Sequence, residues 1–166
     1  MTNAIIRPAK AMEADLISTL CIQSKKSNGY DENFMNACIK ELTVASAMLA
    51  TDVHLVIQRT EIDGYAALCA APDLQNQSEP ELSRAIGEVT AFYIKAGCQR
   101  QGLGSLLWNA IVDKARACAY TELRLDADPY AVPFYRYQGC KQIGQSASGS
   151  IPGRVLPRLA LDLTQE

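Results

Sequence analysis

The sequence predicts a single α/β domain in which strands and helices alternate along the chain. Short runs rich in β-branched and aromatic residues, as at 53–57 and 88–94, are separated by segments whose apolar residues recur at helical spacing, as at 105–119. The chain has 166 residues, of which 48% are hydrophobic, a length that suits one compact core. No repeat, linker or low-complexity segment divides it, so we expect one domain over residues 1–166.

The first half of the chain predicts three strands and two helices. Pro8 ends the first apolar run, and the composition of residues 24–32 is typical of a loop. Asp31 suits the N-cap position of the second helix. The expected elements are a strand at 4–7, a helix at 12–21, a helix that follows Asp31 and ends near residue 42, and a hairpin of strands 53–57 and 65–69 around a turn at 60–64. A polar, exposed excursion is expected at 71–81.

The second half predicts a strand that runs directly into a long helix. The strand covers residues 88–94, the helix covers residues 105–119, and a glycine-containing turn joins them. After that helix, the expected elements are a strand at 121–125, a short helix at 133–138 closed by Gly139, and strands at 140–143 and 155–163.

Composition argues against several classes of partner. The net charge is −2, from 16 basic and 18 acidic side chains, so no basic field is present to hold nucleic acid or an anionic membrane. Six cysteines without a Cys-x-x-Cys pair and a single histidine, His54, give no metal-ligand spacing. Without a signal peptide or a long apolar segment, we expect a cytoplasmic protein with reduced thiols.

The turn at residues 99–105 has the geometry of an anion site. Gly102 and Gly104 let the main chain approach a ligand closely, and the first turn of the helix offers unpaired N–H groups and the positive end of the helix dipole. A pyrophosphate suits such a site. The spacing matches neither a P-loop nor a dinucleotide-binding fingerprint. A tight strand-to-helix connection that binds no ligand is the alternative.

Three motifs follow one another between residues 88 and 139. They are Glu88-Val89-Thr90-Ala91-Phe92-Tyr93-Ile94, Gln99-x-x-Gly102-x-Gly104 and Asp128-x-x-Ala131-x-x-Phe134-Tyr135-x-x-x-Gly139. They resemble the fourth strand, the acyl-CoA signature Gln/Arg-x-x-Gly-x-Gly/Ala and the Asn-x-x-Ala-x-x-Phe-Tyr-x-x-x-Gly segment of the GNAT superfamily of N-acetyltransferases. This resemblance implies a central mixed, mostly antiparallel sheet of six to seven strands, splayed between strands 4 and 5 and flanked by about four helices.

The resemblance also implies an activity and a co-substrate. It indicates an N-acetyltransferase that uses acetyl-CoA, without a metal, and transfers the acetyl group directly to a primary amine of a small molecule, peptide or protein. Main-chain groups of Phe92 and Ile94 are then expected to pair with the pantetheine arm as a further strand would. N–H groups of residues 101–105 are expected to bind the pyrophosphate. The residues implied in co-substrate binding are Phe92, Ile94, Gln99, Gln101, Gly102, Leu103, Gly104, Ser105, Asp128 and Tyr135.

Two positions depart from the family's usual residues. Asp128 stands where asparagine is more common, and Ser105 stands where larger polar residues often contact phosphate. Besides its implied place near the co-substrate, we expect Asp128 to cap the short helix that follows, with Pro129 at the first helical position.

Two side chains are implied as catalytic groups. Glu88 occupies a strand position where some family members carry a general-base glutamate, and an ammonium group with a pKa of about 10.4 needs such a base near neutral pH. Tyr135 is implied as the group that protonates or stabilises the departing CoA thiolate. The N–H of Ile94 is a candidate to polarise the thioester carbonyl. The ordinary interpretations are a solvated strand glutamate and a core tyrosine.

Other residues receive mainly structural interpretations. We expect His54 and Trp108 to be structural and the thiols of Cys98 and Cys140 to be inert. Residues 27–30 and the segment 150–157, in which Arg154 is a candidate to bind a carboxylate, are expected on the acceptor side, with an ordinary turn as the alternative for the second segment.

The identity of the acceptor is left open by the sequence. The near-neutral charge argues only against a strongly cationic acceptor such as an aminoglycoside, and a homodimer is expected by analogy alone. Two competing functions stand beside the enzyme: a non-catalytic acyl-CoA-binding sensor or interaction module, and a purely structural α/β domain.

Overall fold

The structure is a computed structural model that describes residues 3–71 and 85–164. Within these ranges the strands are β1 (Ile5–Pro8), β2 (Val53–Gln58), β3 (Ile62–Ala70), β4 (Ile86–Ile94), β5 (Glu122–Asp126), β6 (Lys141–Ala147) and β7 (Val155–Asp162). The helices are α1 (Ala14–Lys26), α2 (Glu32–Leu42), α3 (Leu103–Ala117) and α4 (Val132–Tyr137), with 3₁₀ turns at Ala11–Glu13, Ser46–Ala50 and Pro129–Ala131. Apart from Ala71, the excursion expected at 71–81 lies outside the described residues.

The described strands form one mixed sheet in the order β1-β2-β3-β4-β5-β7-β6. Each neighbouring pair is antiparallel except β4 and β5, which run parallel. These two strands pair only from Ile86 opposite Glu122 to Glu88 opposite Arg124, and beyond Glu88 they separate. The predicted fold, a mostly antiparallel mixed sheet splayed between strands 4 and 5, is confirmed.

A β-bulge bends β4 where it leaves β5. Ala91 lies opposite Ala67, whereas Val89 lies opposite the next residue of β3, Leu68, so Thr90 is the extra residue. A bulge leaves one residue out of the ladder and increases the local twist of its strand. β4 therefore remains paired with β3 while its other edge turns away from β5.

Helices cover both faces of the sheet, and each face has its own core. On one face, α1 and α2 pack against the sheet through side chains such as Ile17, Cys38 and Tyr65. On the other face, α3 packs over strand residues such as Leu123. Trp108 of α3 is 1% exposed, which confirms its predicted packing role. In the described part of the chain, no helix has the length and apolar character needed to cross a bilayer.

Helix α1 differs from the sequence-based expectation at both ends. Met12 and Leu16 are apolar residues of the helix expected at 12–21, yet they are 88% and 56% exposed, because the buried face of α1 is centred on Ile17 and Cys21. The helix also continues to Lys26 through residues expected to form a loop.

The turn between β2 and β3 is shorter than predicted. Ile62, Asp63 and Gly64 were assigned to the turn but belong to β3, where they are buried. A buried aspartate is tolerated at this position because Arg59 Nε lies 2.6 Å from Asp63 Oδ2 and neutralises the carboxylate.

Helix α3 begins after a left-handed stretch of main chain. Arg100 has a φ of +62°, and Gly102, the N-cap residue, has a φ of +83°. Glycine adopts this conformation at little cost because it has no Cβ. Gly104, in contrast, is not left-handed, and an added Cβ there would meet the Phe134 ring at 3.5 Å, an ordinary contact distance.

The two glycines of the turn therefore differ in what they tolerate. We expect Gly102→Ala to lower the free energy of unfolding by about 1–2 kcal/mol, because an alanine must adopt the left-handed conformation. Gly104→Ala should be neutral or raise that free energy by up to about 1 kcal/mol, because alanine favours a helix. Urea unfolding of the two variants measures both values, and equal destabilisation by the two substitutions would contradict this account.

Candidate active site

A cleft of about 610 Å³ opens where β4 and β5 separate. Residues 89–94 of β4 form one wall, and Leu125 and Asp126 at the end of β5 contribute to the opposite wall. The glycine turn and α4 line the cleft on the α3 face of the sheet. Ser24, Lys25 and Asn28, at the end of α1, line it on the other face. The cleft thus passes through the sheet from one face to the other.

Main-chain amides at the start of α3 are available to a ligand. No described residue accepts a hydrogen bond from the N–H groups of residues 101–105, whereas the next amide, that of Leu106, donates to the Gly102 carbonyl at 3.2 Å. The N-terminal end of a helix also carries partial positive charge. Gly102, Gly104 and Ser105 line the cleft, so these donors lie beside open space. Adjacent unpaired donors at a helix N-terminus form an anion site.

Arg100 adds a positive charge to this site, although it is not among the residues expected to bind the co-substrate. Its side chain is exposed, the residue lines the cleft, and no ion pair links it to any described carboxylate. Arg100 occupies a variable position of the glycine motif, so motif spacing could not identify it. The available signal was its positive charge next to an expected phosphate site.

Side chains of the glycine turn are largely bonded within the protein. These bonds fix three side chains of the turn, whereas the N–H groups of residues 101–105 in the same turn have no described acceptor. The hydrogen bonds are Gln99 Nε2 to the Ile94 carbonyl at 3.5 Å, Arg59 Nη1 to Gln101 Oε1 at 2.9 Å, and Gln138 Nε2 to Ser105 Oγ at 3.0 Å.

Phe92 and Ile94 lie on the β4 wall of the cleft. Both side chains are half-buried and pack against the core beneath α3. Only the main chain of this segment therefore remains for a ligand, along the edge of β4 that β5 has left. A role of these main-chain groups in binding the co-substrate stays a prediction.

Tyr135 of α4 lines the cleft and is 6% exposed. Aromatic neighbours fix its ring: the centroid of Phe134 lies 5.3 Å away, that of Trp108 5.6 Å and that of Phe92 6.1 Å. Burial raises the pKa of Tyr135 far above its usual value, with smaller contributions from Cys140 and Asp128. Since no described residue accepts a hydrogen bond from it, the hydroxyl is a protonated donor available to the cleft.

Glu88 is the last residue of β4 that is paired with β5. Its neighbour Val89 packs into the core beneath α3, so the Glu88 side chain points to the opposite face, on which α1 lies. There Arg158 Nη1 lies 2.5 Å from Glu88 and 3.2 Å from Asp126. Burial opposes the charge of Arg158, but its hydrogen bond to Glu88 and the charges of both carboxylates outweigh burial and raise the pKa of the guanidinium.

Asp128 connects several elements on the α1 face of the cleft. Its carboxylate accepts a hydrogen bond from the Tyr30 hydroxyl at 2.8 Å and lies 3.5 Å from Arg154 and 3.8 Å from Lys25. It also accepts a hydrogen bond from the Tyr130 amide at 3.0 Å, which confirms the predicted helix cap. An asparagine could make the cap but could not neutralise the two cations. This pairing accounts for the departure from the usual asparagine.

The two segments expected on the acceptor side meet at this carboxylate. Arg154 Nη2 donates to the Tyr30 hydroxyl at 2.9 Å, and the Arg154 guanidinium lies 5.4 Å from the centre of the Tyr30 ring. Burial raises the pKa of Tyr30, and its hydrogen bond to Asp128 raises it further. The tyrosine hydroxyl is therefore a donor, as its bond to the carboxylate requires.

The residues given structural interpretations have partners within the protein, although His54 Nε2 is buried without a hydrogen-bond partner among the described residues. His54 Nδ1 is 2.7 Å from the Tyr65 hydroxyl, and the Cys98 thiol donates to Asp63 at 3.6 Å. Burial raises the pKa of Cys140 to about 12, so this thiol stays protonated near neutral pH. Over residues 3–71 and 85–164, no cluster of three or more His, Cys, Asp or Glu side chains is placed to hold a metal ion.

Comparison with solved structures finds the same fold in acetyltransferases. PaiA N-acetyltransferase of Thermoplasma acidophilum, in complex with coenzyme A, has a TM-score of 0.70 and 15% identity over 96% of this chain and 99% of that chain. A GCN5-related N-acetyltransferase of Rhodopseudomonas palustris has a TM-score of 0.74 and 17% identity over 98% and 97%. The protein yncA of Salmonella typhimurium, with its cofactor acetyl-CoA, has a TM-score of 0.65 and 18% identity over 99% and 96%.

Comparison at the level of sequence identifies the family. No curated protein matches the chain. The family model for the acetyltransferase (GNAT) domain, however, matches residues 21–149, which include the second half of α1, the parted strands, the glycine turn and α4. The chain belongs to the GNAT acetyltransferase family.

Proposed function

We propose that the protein is an acetyl-CoA-dependent N-acetyltransferase that transfers the acetyl group directly to a primary amine. The observation that carries this proposal is the set of unpaired amides at residues 101–105 beside the gap between β4 and β5. An anion site next to a free strand edge suits a ligand that has a pyrophosphate followed by an amide-containing arm.

In this proposal the glycine turn binds the pyrophosphate and β4 binds the pantetheine arm. The amides of residues 101–105 donate to phosphate oxygens, and Arg100 supplies a compensating positive charge. The main chain of Phe92 and Ile94 pairs with the two amides of the arm along the edge that β5 has left. Asp128 and Tyr135 then border the thioester end of the arm.

Transfer requires a neutral amine, and Glu88 is the proposed base. An ammonium group with a pKa of about 10.4 is free amine in only about one molecule per few thousand near neutral pH. Glu88 points to the α1 face and lies one residue before the part of β4 that lines the cleft. Because the carboxylate is outside the cleft lining, we propose that it takes the proton from the amine through a bridging water. Arg158 holds the carboxylate in place at 2.5 Å.

Tyr135 assists the second half of the reaction. The amine nitrogen forms a bond to the acetyl carbon, and the extra proton on the nitrogen leaves to solvent. The carbon–sulfur bond then breaks, and its electron pair goes to sulfur. The Tyr135 hydroxyl, a protonated donor that lines the cleft, stabilises that thiolate by a hydrogen bond, because burial raises its pKa and disfavours loss of its own proton. The N–H of Ile94 is the proposed donor to the carbonyl oxygen while negative charge develops on it.

The amine is proposed to enter from the α1 face. On that side the Asn28 amide offers an oxygen acceptor to the incoming amine, while Asp126 and Asp128 line the cleft already paired with cations. A small molecule, a peptide and a protein side chain all remain within this proposal. The described cysteines are free, which suits action in a reducing compartment such as the cytoplasm.

The decisive test is thiol release from acetyl-CoA with a panel of primary amines, together with calorimetry of CoA binding. We expect heat of binding and release of CoA thiol with at least one amine of the panel. Binding without thiol release across the panel would favour a non-catalytic acyl-CoA sensor instead. If calorimetry detects no heat of CoA binding, the proposal is wrong.

Tyr135→Phe separates the enzyme from the sensor within the same assay. We expect kcat to fall about 10- to 100-fold because the departing thiolate loses its donor. The Kd for CoA should stay within about twofold, since an affinity change of that size is under 0.5 kcal/mol. Tyr137→Phe is the matched control, because Tyr137 belongs to the same helix and is 87% exposed. An unchanged kcat in Tyr135→Phe would remove this residue from the mechanism.

Glu88→Gln tests the proposed base through its pH dependence. The substitution keeps the size of the side chain but cannot accept a proton, so we expect kcat/KM near neutral pH to fall about 10- to 100-fold. The difference should narrow towards about pH 10, where the amine loses its proton without help. Glu122→Gln is the control, since Glu122 is a half-buried strand glutamate that accepts a hydrogen bond from Arg124 at 2.6 Å. A loss that is constant across the pH range would argue for a structural role of Glu88.

A further inference from the structure

The turn between β2 and β3 lies against the glycine turn, far from it in sequence. Arg59 spans the two segments: its Nε lies 2.6 Å from Asp63 Oδ2, and its Nη1 donates to Gln101 Oε1 at 2.9 Å. Gln101 in turn donates from Nε2 to the Gly97 carbonyl at 3.3 Å. A continuous chain of hydrogen bonds therefore runs from a buried carboxylate of β3 into the proposed pyrophosphate site.

Asp63 contacts the segment between β4 and α3 at two further points. Its main-chain carbonyl accepts a hydrogen bond from the Lys95 amide at 2.7 Å, and its Oδ1 accepts one from the Cys98 thiol at 3.6 Å. The residue is 5% exposed. A buried carboxylate with one guanidinium partner is held in a single orientation, because any other would leave its charge unpaired. Asp63 is therefore a rigid anchor for the segment.

The segment needs such an anchor because Arg100, a non-glycine residue, has a left-handed main-chain conformation. Three of its residues, Gly97, Arg100 and Gly102, have φ values of +87°, +62° and +83°. A left-handed conformation is unfavourable for a non-glycine residue such as Arg100, and it persists only where the surroundings enforce it. The contacts of Asp63 and Arg59 lie on both sides of Arg100, at residues 95, 98 and 101.

We infer that Asp63 and Arg59 are positioning residues for the pyrophosphate site. They act through the glycine turn, by keeping the amides of residues 101–105 directed at one point, and they do not touch the reacting atoms. This inference rests on the proposed function and adds to it the side chains that preorganise the anion site. The motifs of the family do not contain either residue, since Arg59 follows β2 and Asp63 lies at the start of β3.

The test compares two thioesters in the Asp63→Asn variant. Acetyl-CoA contains the pyrophosphate, whereas S-acetylpantetheine has the same reacting arm without it. We expect KM for acetyl-CoA to rise about tenfold, equivalent to about 1.4 kcal/mol, with kcat within about twofold of the parent. The value of kcat/KM for S-acetylpantetheine should not change, because this substrate does not use the amides of the glycine turn.

Two further variants keep the inference falsifiable. Glu61→Gln is the matched control: it breaks the exposed ion pair of Glu61 with Lys95 Nζ at 2.6 Å in the same region and should leave both thioesters unaffected. Arg59→Lys keeps the positive charge but loses the forked donor geometry that reaches both partners, so it should raise KM for acetyl-CoA as Asp63→Asn does. This variant carries the test if Asp63→Asn does not fold.

The outcomes separate this inference from the proposed function. A parent protein that binds acetyl-CoA while neither variant changes KM would overturn the positioning role and leave the function intact. An equal loss with both thioesters would also overturn it, because the effect would then be a general loss of structure. A parent protein that does not bind acetyl-CoA would overturn the function itself, and this inference with it.

Discussion

The separation of β4 from β5 beyond Glu88 is the constraint on which the site depends. Main-chain groups buried without partners are costly, so two neighbouring strands that part must leave their facing N–H and C=O groups to a ligand or to solvent. In this protein the bulge at Thr90 turns β4 away while β3 keeps the strand in place. The resulting gap connects the two faces of the sheet, and in the proposed reaction the co-substrate and the acceptor approach it from opposite sides.

The two proposed catalytic groups lie on opposite faces of the sheet. Tyr135 is buried among aromatic side chains on the α3 face, where burial keeps its hydroxyl protonated. Glu88 points to the α1 face, where Arg158 holds its carboxylate. The proposed donor to the thiolate and the proposed base for the amine therefore lie on opposite faces of the sheet. The carboxylate of Asp128 orders the α1 face further, by joining Tyr30, Arg154 and Lys25.

The strand, the glycine turn and the helix between residues 88 and 117 were predictable because each depends on residues close in sequence. A run of β-branched and aromatic residues indicates the strand, Gly102 indicates the turn, and an apolar stripe at helical spacing indicates the helix. Contacts distant in sequence were not predictable in this way. Lys25 appeared to belong to a loop, yet it is buried near Asp128, about a hundred residues away. Asp63 appeared to be a turn residue because nothing local shows that Arg59 neutralises it. Single charged residues acquire such roles only from tertiary packing.

The central claim is that amides 101–105 are held unpaired for a pyrophosphate, and NMR tests it most directly. Titration of ¹⁵N-labelled protein with CoA should shift the amide resonances of residues 101–105 downfield, because each gains a charged oxygen as acceptor. S-acetylpantetheine should shift resonances of β4 but leave those of the glycine turn in place. If CoA binds while the resonances of residues 101–105 stay unchanged, the anion site lies elsewhere and this account is wrong.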